Sequence, residues 1–166
     1  MYNRIAIAVF LFLSAACIVH GLYYYPQLPD VVASHFGAAG KPDAWSGKGA
    51  FLAVYLISAG MNALIFLGIV FGIQTMPTSM LNLPNKEYWL SEERRQETFQ
   101  FFTQYFMWFG SATCLLLLDV FHQTFMVHLG NASTLRHPWL SIGLYLGFSF
   151  AWCIGLFIRF FRKRES

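Results

Sequence analysis

The stretch IAIAVFLFLSAACIVHGLYY, residues 5–24, has no Asp, Glu, Lys or Arg in it. A helix rises about 1.5 Å per residue, so such a run matches the ~30 Å hydrocarbon core of a bilayer. Three further long apolar runs, with Asp119 and Arg159 as their charged residues, are placed at about 50–73, 101–121 and 140–161. Bilayer hydrocarbon gives the backbone no water to bond, so each run is expected to be a helix. Strands would need a closed barrel with alternating faces, and the run at 5–16 does not alternate. The chain is 57% hydrophobic and only 11% charged. About a quarter of a soluble domain is charged, and a chain this small cannot bury so much apolar surface by itself. The expected fold is therefore an all-α membrane protein, a four-transmembrane-helix bundle forming a single membrane domain over 1–166.

Working outward from the spans, the remaining segments are an outer loop at 25–49, an inner loop at 74–100, a second outer loop at 122–139 and a basic tail at 162–166. Ser14-Ala15-Ala16-Cys17 has a weak likeness to a lipoprotein cleavage site, but Ser14 stands where Leu is usual. The first segment is read as an uncleaved helix. With both termini inside, Arg4, Lys86, Arg94, Arg95, Arg159, Arg162, Lys163 and Arg164 share the cytoplasmic side, against Lys41, Lys48 and Arg136 outside. Eight against three satisfies the positive-inside rule, and Tyr23, Tyr24, Tyr25 and Trp139 fall at the outer boundary, where amphipathic rings anchor. The expected location is a bacterial inner (cytoplasmic) membrane, multi-pass.

Small residues recur at close-packing intervals. Gly68 and Gly72 form one GxxxG, and Gly143, Gly147, Ala151 and Gly155 form a longer stripe. Such stripes let helix backbones approach. They are expected to pack within the bundle, with a homodimer as the sharper alternative. The inner loop is expected to be ordered: Pro77 and Pro84 stop the second helix, Ser91 is a candidate N-cap, and Glu92 and Glu93 suit a first helical turn. Cys17, Cys114 and Cys153 all sit in apolar runs without a CxxC, which suits packing residues and not a disulfide framework. The net charge of +3 is not arranged as a basic stripe, so nucleic acid is not an expected partner.

The polar residues sort by side. His20, His35, His122, His128 and His137 fall outside with Asp30, Asp43 and Asp119, while the five glutamates fall inside. Asp119 and His122, three residues apart, share a helix face, and a carboxylate at that depth needs a partner. The candidate metal set, for zinc, is His35, Asp119 and His122, with His20 or His128 as a fourth ligand. His128 joins only if the helix ends or bends before it. Without such a metal no cofactor is expected, since no HExxH, GxSxG or phosphate-binding glycine loop is present. Asn62, deep in the second span, is expected to hydrogen-bond another helix.

The first outer loop combines Pro26, Pro29 and Pro42 with Gly37 and Gly40, which gives it a defined shape. His35, Asp43, Trp45 and Lys48 are the candidate ligand-binding residues on it. The pattern LPD (28–30), HF (35–36) and GKPDAW (40–45), followed by Lys48, resembles the domain of unknown function 1648, which forms the first part of SdpI-type bacterial membrane proteins. The inner stretch NLPNKEYWL (82–90), followed by Glu93-Arg94-Arg95, is similar to small proteins carrying that domain, and Asn85 and Trp89 are its candidate partner-binding residues. The resemblance implies toxin immunity coupled to signalling, without an established catalytic residue to carry over. The expected function is thus a non-enzymatic sensor or toxin-immunity-type protein, engaging a peptide or ion outside and a protein partner inside. The alternative is a metal-dependent membrane enzyme or ion-handling protein built on the outer His/Asp group.

Overall fold

The structure, a computed structural model, describes residues 2–161. The tail at 162–166, with Arg162, Lys163 and Arg164, lies outside the described residues. Helix α1 runs Tyr2–Tyr24, α2 Lys48–Thr75, α4 Arg95–His128 and α5 Pro138–Phe161, with a short α3 at Lys86–Trp89. The four long helices are each long and apolar enough to cross a membrane. The fold is not wholly α. Residues Val31–Phe36 and Pro42–Gly47 form strands β1 and β2 of an antiparallel hairpin.

The hairpin escapes a reading by alternation because it is bulged on both strands. The register pairs Ala33 with Trp45, then His35 with Ala44, then Phe36 with Pro42. Ser34 on one strand and Asp43 on the other are therefore the extra residues, and each shifts the faces by one. The tip closes through Gly40, whose φ of +70° is cheap only for glycine.

Core packing is made by three helices. Ala6, Phe10 and Cys17 of α1, Tyr55 and Ala59 of α2, and Met107 and Cys114 of α4 are buried together. Gly110 lets them close: a Cβ there would stand 2.6 Å from Phe10 Cε2 and 2.9 Å from Phe66 Cδ2. Asn62 makes the interhelical bonds expected of it, its Nδ2 donating to Gly110 O at 3.3 Å and to Cys114 Sγ at 3.1 Å. A polar amide at that depth is stabilised only when a neighbouring helix accepts its protons.

Helix α5 stands apart. It packs on α4 through Tyr145, Phe148, Trp152 and Phe160, and of its described residues Phe160 alone is buried. A Cβ at Gly143, Gly147 or Gly155 would meet nothing within 4 Å, nor would one at Gly68. These small-residue faces therefore do not pack within the bundle. The contact of α5 with α4 is made by the rings of Tyr145, Phe148, Trp152 and Phe160.

Helix α4 extends past the span expected at 101–121 on both sides, although it begins at Arg95, after the start expected at Ser91. Its 34 residues rise to about 51 Å, well beyond the hydrocarbon, so polar turns protrude on each side. Ser91 does not cap it by its side chain. The Ser91 carbonyl accepts from the backbone N–H of Arg94 at 3.1 Å and of Arg95 at 2.9 Å, and its hydroxyl has no partner. At the other end of the chain's long connection, α2 stops because Met76, before Pro77, is held extended.

Candidate functional site

The hairpin lies across one end of the helices and is fastened at both its base and its tip. At the base, Lys48 closes a ring: its Nζ lies 2.9 Å from Asp30 Oδ1 and 3.3 Å from Leu28 O, while its backbone N–H donates to Asp30 O. At the tip, Leu135 N–H donates to Gly40 O at 2.9 Å and Trp139 Nε1 donates to Ala38 O at 2.7 Å. Between them, His128 Nε2 donates to Ala33 O at 3.0 Å. The hairpin thereby touches the start of α2, the end of α4, the α4–α5 loop and the start of α5.

Beneath it is an apolar cavity of about 410 Å³, lined among others by Ala33, Phe36, Phe51, Val54, Phe121 and Thr124. His35 also borders it. The His35 imidazole donates from Nδ1 to Asp43 Oδ1 at 2.5 Å, and both side chains are exposed. Trp45 is 62% exposed. Three of the hairpin residues singled out in the sequence are thus surface groups, two of them bonded to each other. The fourth, Lys48, is engaged in holding the base.

The other polar groups distribute differently from the helical-wheel expectation. Asp119 and His122 share a face of α4 but not a bond. Asp119 Oδ2 accepts from Gln123 Nε2 at 2.7 Å and from Ser141 Oγ of α5 at 2.6 Å. His122 Nδ1 lies 3.3 Å from His20 Nε2 of α1, and His20 Nδ1 lies 3.2 Å from the Tyr55 hydroxyl. All of these bonds are satisfied when Tyr55 donates to His20 and His20 donates to His122, with both rings neutral. Because α4 lies between α1 and α5, residues about 60° apart on its surface reach different neighbours.

Among the described residues, no three His, Cys, Asp or Glu side chains gather as a metal-binding group. His35, Asp119 and His122 are not brought together. Of the candidate ligands His20 meets His122, and His128, still helical, reaches the hairpin backbone and packs its ring on Phe51 at 4.9 Å between centroids. His128 is a structural link to the hairpin that spacing alone did not point to. Its signal was the polar side chain in the last turn of a helix, facing the strand residues of the loop.

At the opposite end, Asn85 and Trp89 act as a clasp. Asn85 Nδ2 donates to Phe160 O at 2.8 Å, and Trp89 Nε1 donates to the same oxygen at 3.4 Å. Two side-chain donors on one helix carbonyl tie this connection to α5. Asn85 adopts a left-handed φ of 51°, which asparagine tolerates, and Trp89 is 7% exposed. Arg159 adds a cation–π contact 4.0 Å from the Phe101 ring centroid and a 3.5 Å ion pair with Glu97. Glu87, Glu92 and Glu93 remain exposed on this connection.

Residues 12–59 match the family model described as Domain of unknown function (DUF1648). The match begins in α1, takes in the whole hairpin and ends in α2. It therefore contains the LPD, HF and GKPDAW patterns with His35, Asp43, Trp45 and Lys48, whereas Asn85, Trp89, Asp119 and His122 lie beyond it. Comparison with curated proteins and with solved structures gives no match.

Proposed function

We propose that this chain is a non-enzymatic, ligand-responsive protein of a bacterial cytoplasmic membrane, of the envelope-sensor or toxin-immunity type. Both termini and the clasp face the cytoplasm, and the hairpin faces out. The observation that carries this reading is the hairpin's position: one small element over an apolar cavity, bonded to the α4 terminus through His128 and to the approach to α5 through Leu135 and Trp139. A ligand with an apolar or aromatic group entering the cavity has to displace or tighten a piece that touches three helices. His35, Asp43 and Trp45 stand ready at the surface to choose that ligand by polarity and by ring contact. The resemblance to SdpI-type proteins favours a peptide as the ligand and a cytoplasmic protein as the receiver. The exposed carboxylates Glu87, Glu92 and Glu93 suit a basic patch on that receiver.

The test is complementation. A deletion strain is challenged with a panel of membrane-active peptides, then supplied with the wild-type gene or with the His35→Ala, Asp43→Ala, Trp45→Ala triple variant. Loss of protection or of the transcriptional response, with membrane insertion unchanged, is expected for the variant. A triple variant that complements like wild type removes the reading.

A further inference from the structure

Asp119 is a carboxylate within the apolar stretch of α4, and among the described residues it has no cationic partner. Both of its hydrogen bonds come from neutral donors, Gln123 and Ser141, and both fall on Oδ2. Among the described residues no Lys, Arg or His forms an ion pair with it. Asp119 is exposed on the side of α4 that faces α5 and away from the three-helix core. A charged carboxylate at the edge of hydrocarbon is costly and calls for a cationic partner.

Its depth is set by its neighbours. Ser141 lies in the first turn of α5, and Trp139, two residues earlier, is 65% exposed, as suits an indole at the head-group level. Below the carboxylate, α4 and α5 leave an open groove of about 420 Å³, lined with Asp119 by Leu115, Leu116, Leu144, Tyr145 and Phe148. An apolar groove running down from a carboxylate at the membrane boundary has the form of an amphiphile site: chain in the groove, cation at Asp119.

We infer that the α4–α5 groove binds a phospholipid whose head group carries a protonated primary amine, with the ammonium donating to Asp119. The chemistry selects this head group over other cations of the bilayer. Asp119 Oδ1 needs a donor as well as a positive charge, and a quaternary ammonium has no N–H to give. Arg136, whose backbone N–H donates to Gln123 Oε1 at 3.1 Å, places a second charged residue beside the one that braces Asp119. A zwitterionic head group, whose phosphate can meet a cation while its ammonium meets Asp119, suits a segment that brings Arg136 to the residue bracing Asp119. The inference stands apart from the hairpin site and does not depend on its ligand.

The experiment is native mass spectrometry of the full chain after equilibration in vesicles of equal parts phosphatidylethanolamine, phosphatidylcholine and phosphatidylglycerol. The two zwitterionic lipids differ at the amine, so the wild type should retain the ethanolamine lipid about tenfold over the choline lipid, as one charge-assisted hydrogen bond allows. Asp119→Asn, nearly isosteric, should bring that ratio close to one. Leu144→Trp, which fills the groove, should lower retention of both while leaving their ratio in place. Equal retention of the two lipids by the wild type, preference for the glycerol lipid, an unchanged ratio in Asp119→Asn, undiminished retention in Leu144→Trp, or a lipid-free dimer would each overturn it. The comparison of lipids on the wild type needs no variant, so it stands even if Asp119→Asn fails to fold.

Discussion

The imidazole of His128, the last residue of α4, donates to the Ala33 carbonyl of β1 at 3.0 Å, across 95 residues of chain. Among the described residues it is the one side-chain bond that joins the end of a membrane helix directly to a strand of the hairpin, and the ring is stacked near Phe36 and set edge-on to Phe51.

Removing that bond should loosen the hairpin and little else. In His128→Ala the Ala33 carbonyl loses its donor and the ring contacts go with it, at a cost of about 1–3 kcal/mol. Hydrogen exchange in detergent should show β1 and β2 amides exchanging roughly tenfold faster or more, while α1 and α2 amides keep their protection. Equal protection of the hairpin in the variant would mean that its base and tip fastenings suffice.

Gly110 and Gly147 should respond oppositely to the same substitution. Gly110→Ala puts a methyl 2.6 Å from Phe10 Cε2, and a clash of that kind in a packed core costs about 1–3 kcal/mol. Gly147→Ala adds a methyl to open space. Thermal melting of the two variants in the same detergent should show a drop for the first and no drop for the second. A drop for Gly147→Ala that grows with protein concentration would instead reveal a self-associating α5 face.

Asn85→Ala should release the connection between α2 and α4. Of the two side-chain donors at Phe160 O, the longer bond from Trp89 Nε1 would be left, and the loss is about 1 kcal/mol. The expected result is faster proteolytic cleavage between residues 76 and 94 in inverted vesicles, with the hairpin uncut. Cleavage at the wild-type rate would show that the aromatic contact of Trp89 with Phe160 is enough to hold the clasp.

Sidedness has a direct readout. Cys17 and Cys114 are buried, and Cys153 lies on the apolar surface of α5, so a membrane-impermeant maleimide should leave the wild type largely unlabelled in intact cells. Ser46→Cys, on β2, should label from outside, and Ser79→Cys should label only after the membrane is opened. The reverse pattern would invert the topology drawn from the basic residues.

Much of the architecture was legible because hydrophobic length is a property of one dimension. Residues 5–24 have to leave water whatever they pack against, and Pro77 ends α2 through the backbone of Met76 alone. Asn62 could also be read from its own chemistry, since a buried amide in lipid has few alternatives to a neighbouring helix. The hairpin was half legible: its turn residues were visible, but the bulges at Ser34 and Asp43 hid its strands by breaking their alternation.

What the tertiary structure alone decided is which neighbour each polar group meets. Spacing put Asp119 and His122 on one face of α4, yet the placement of α1 and α5 on either side of that helix sent one to Ser141 and the other to His20. Spacing also turned His128 away from both, and it was the hairpin folding back over α2 and α4 that supplied its partner. The glycines of α5 show the same division. Their interval permits close helix contact, but contact needs a second surface, and α5 turns its aromatic row to α4 instead. A side chain's identity, depth and angular position follow from the local chain, whereas its partner follows from how the helices are arranged around it.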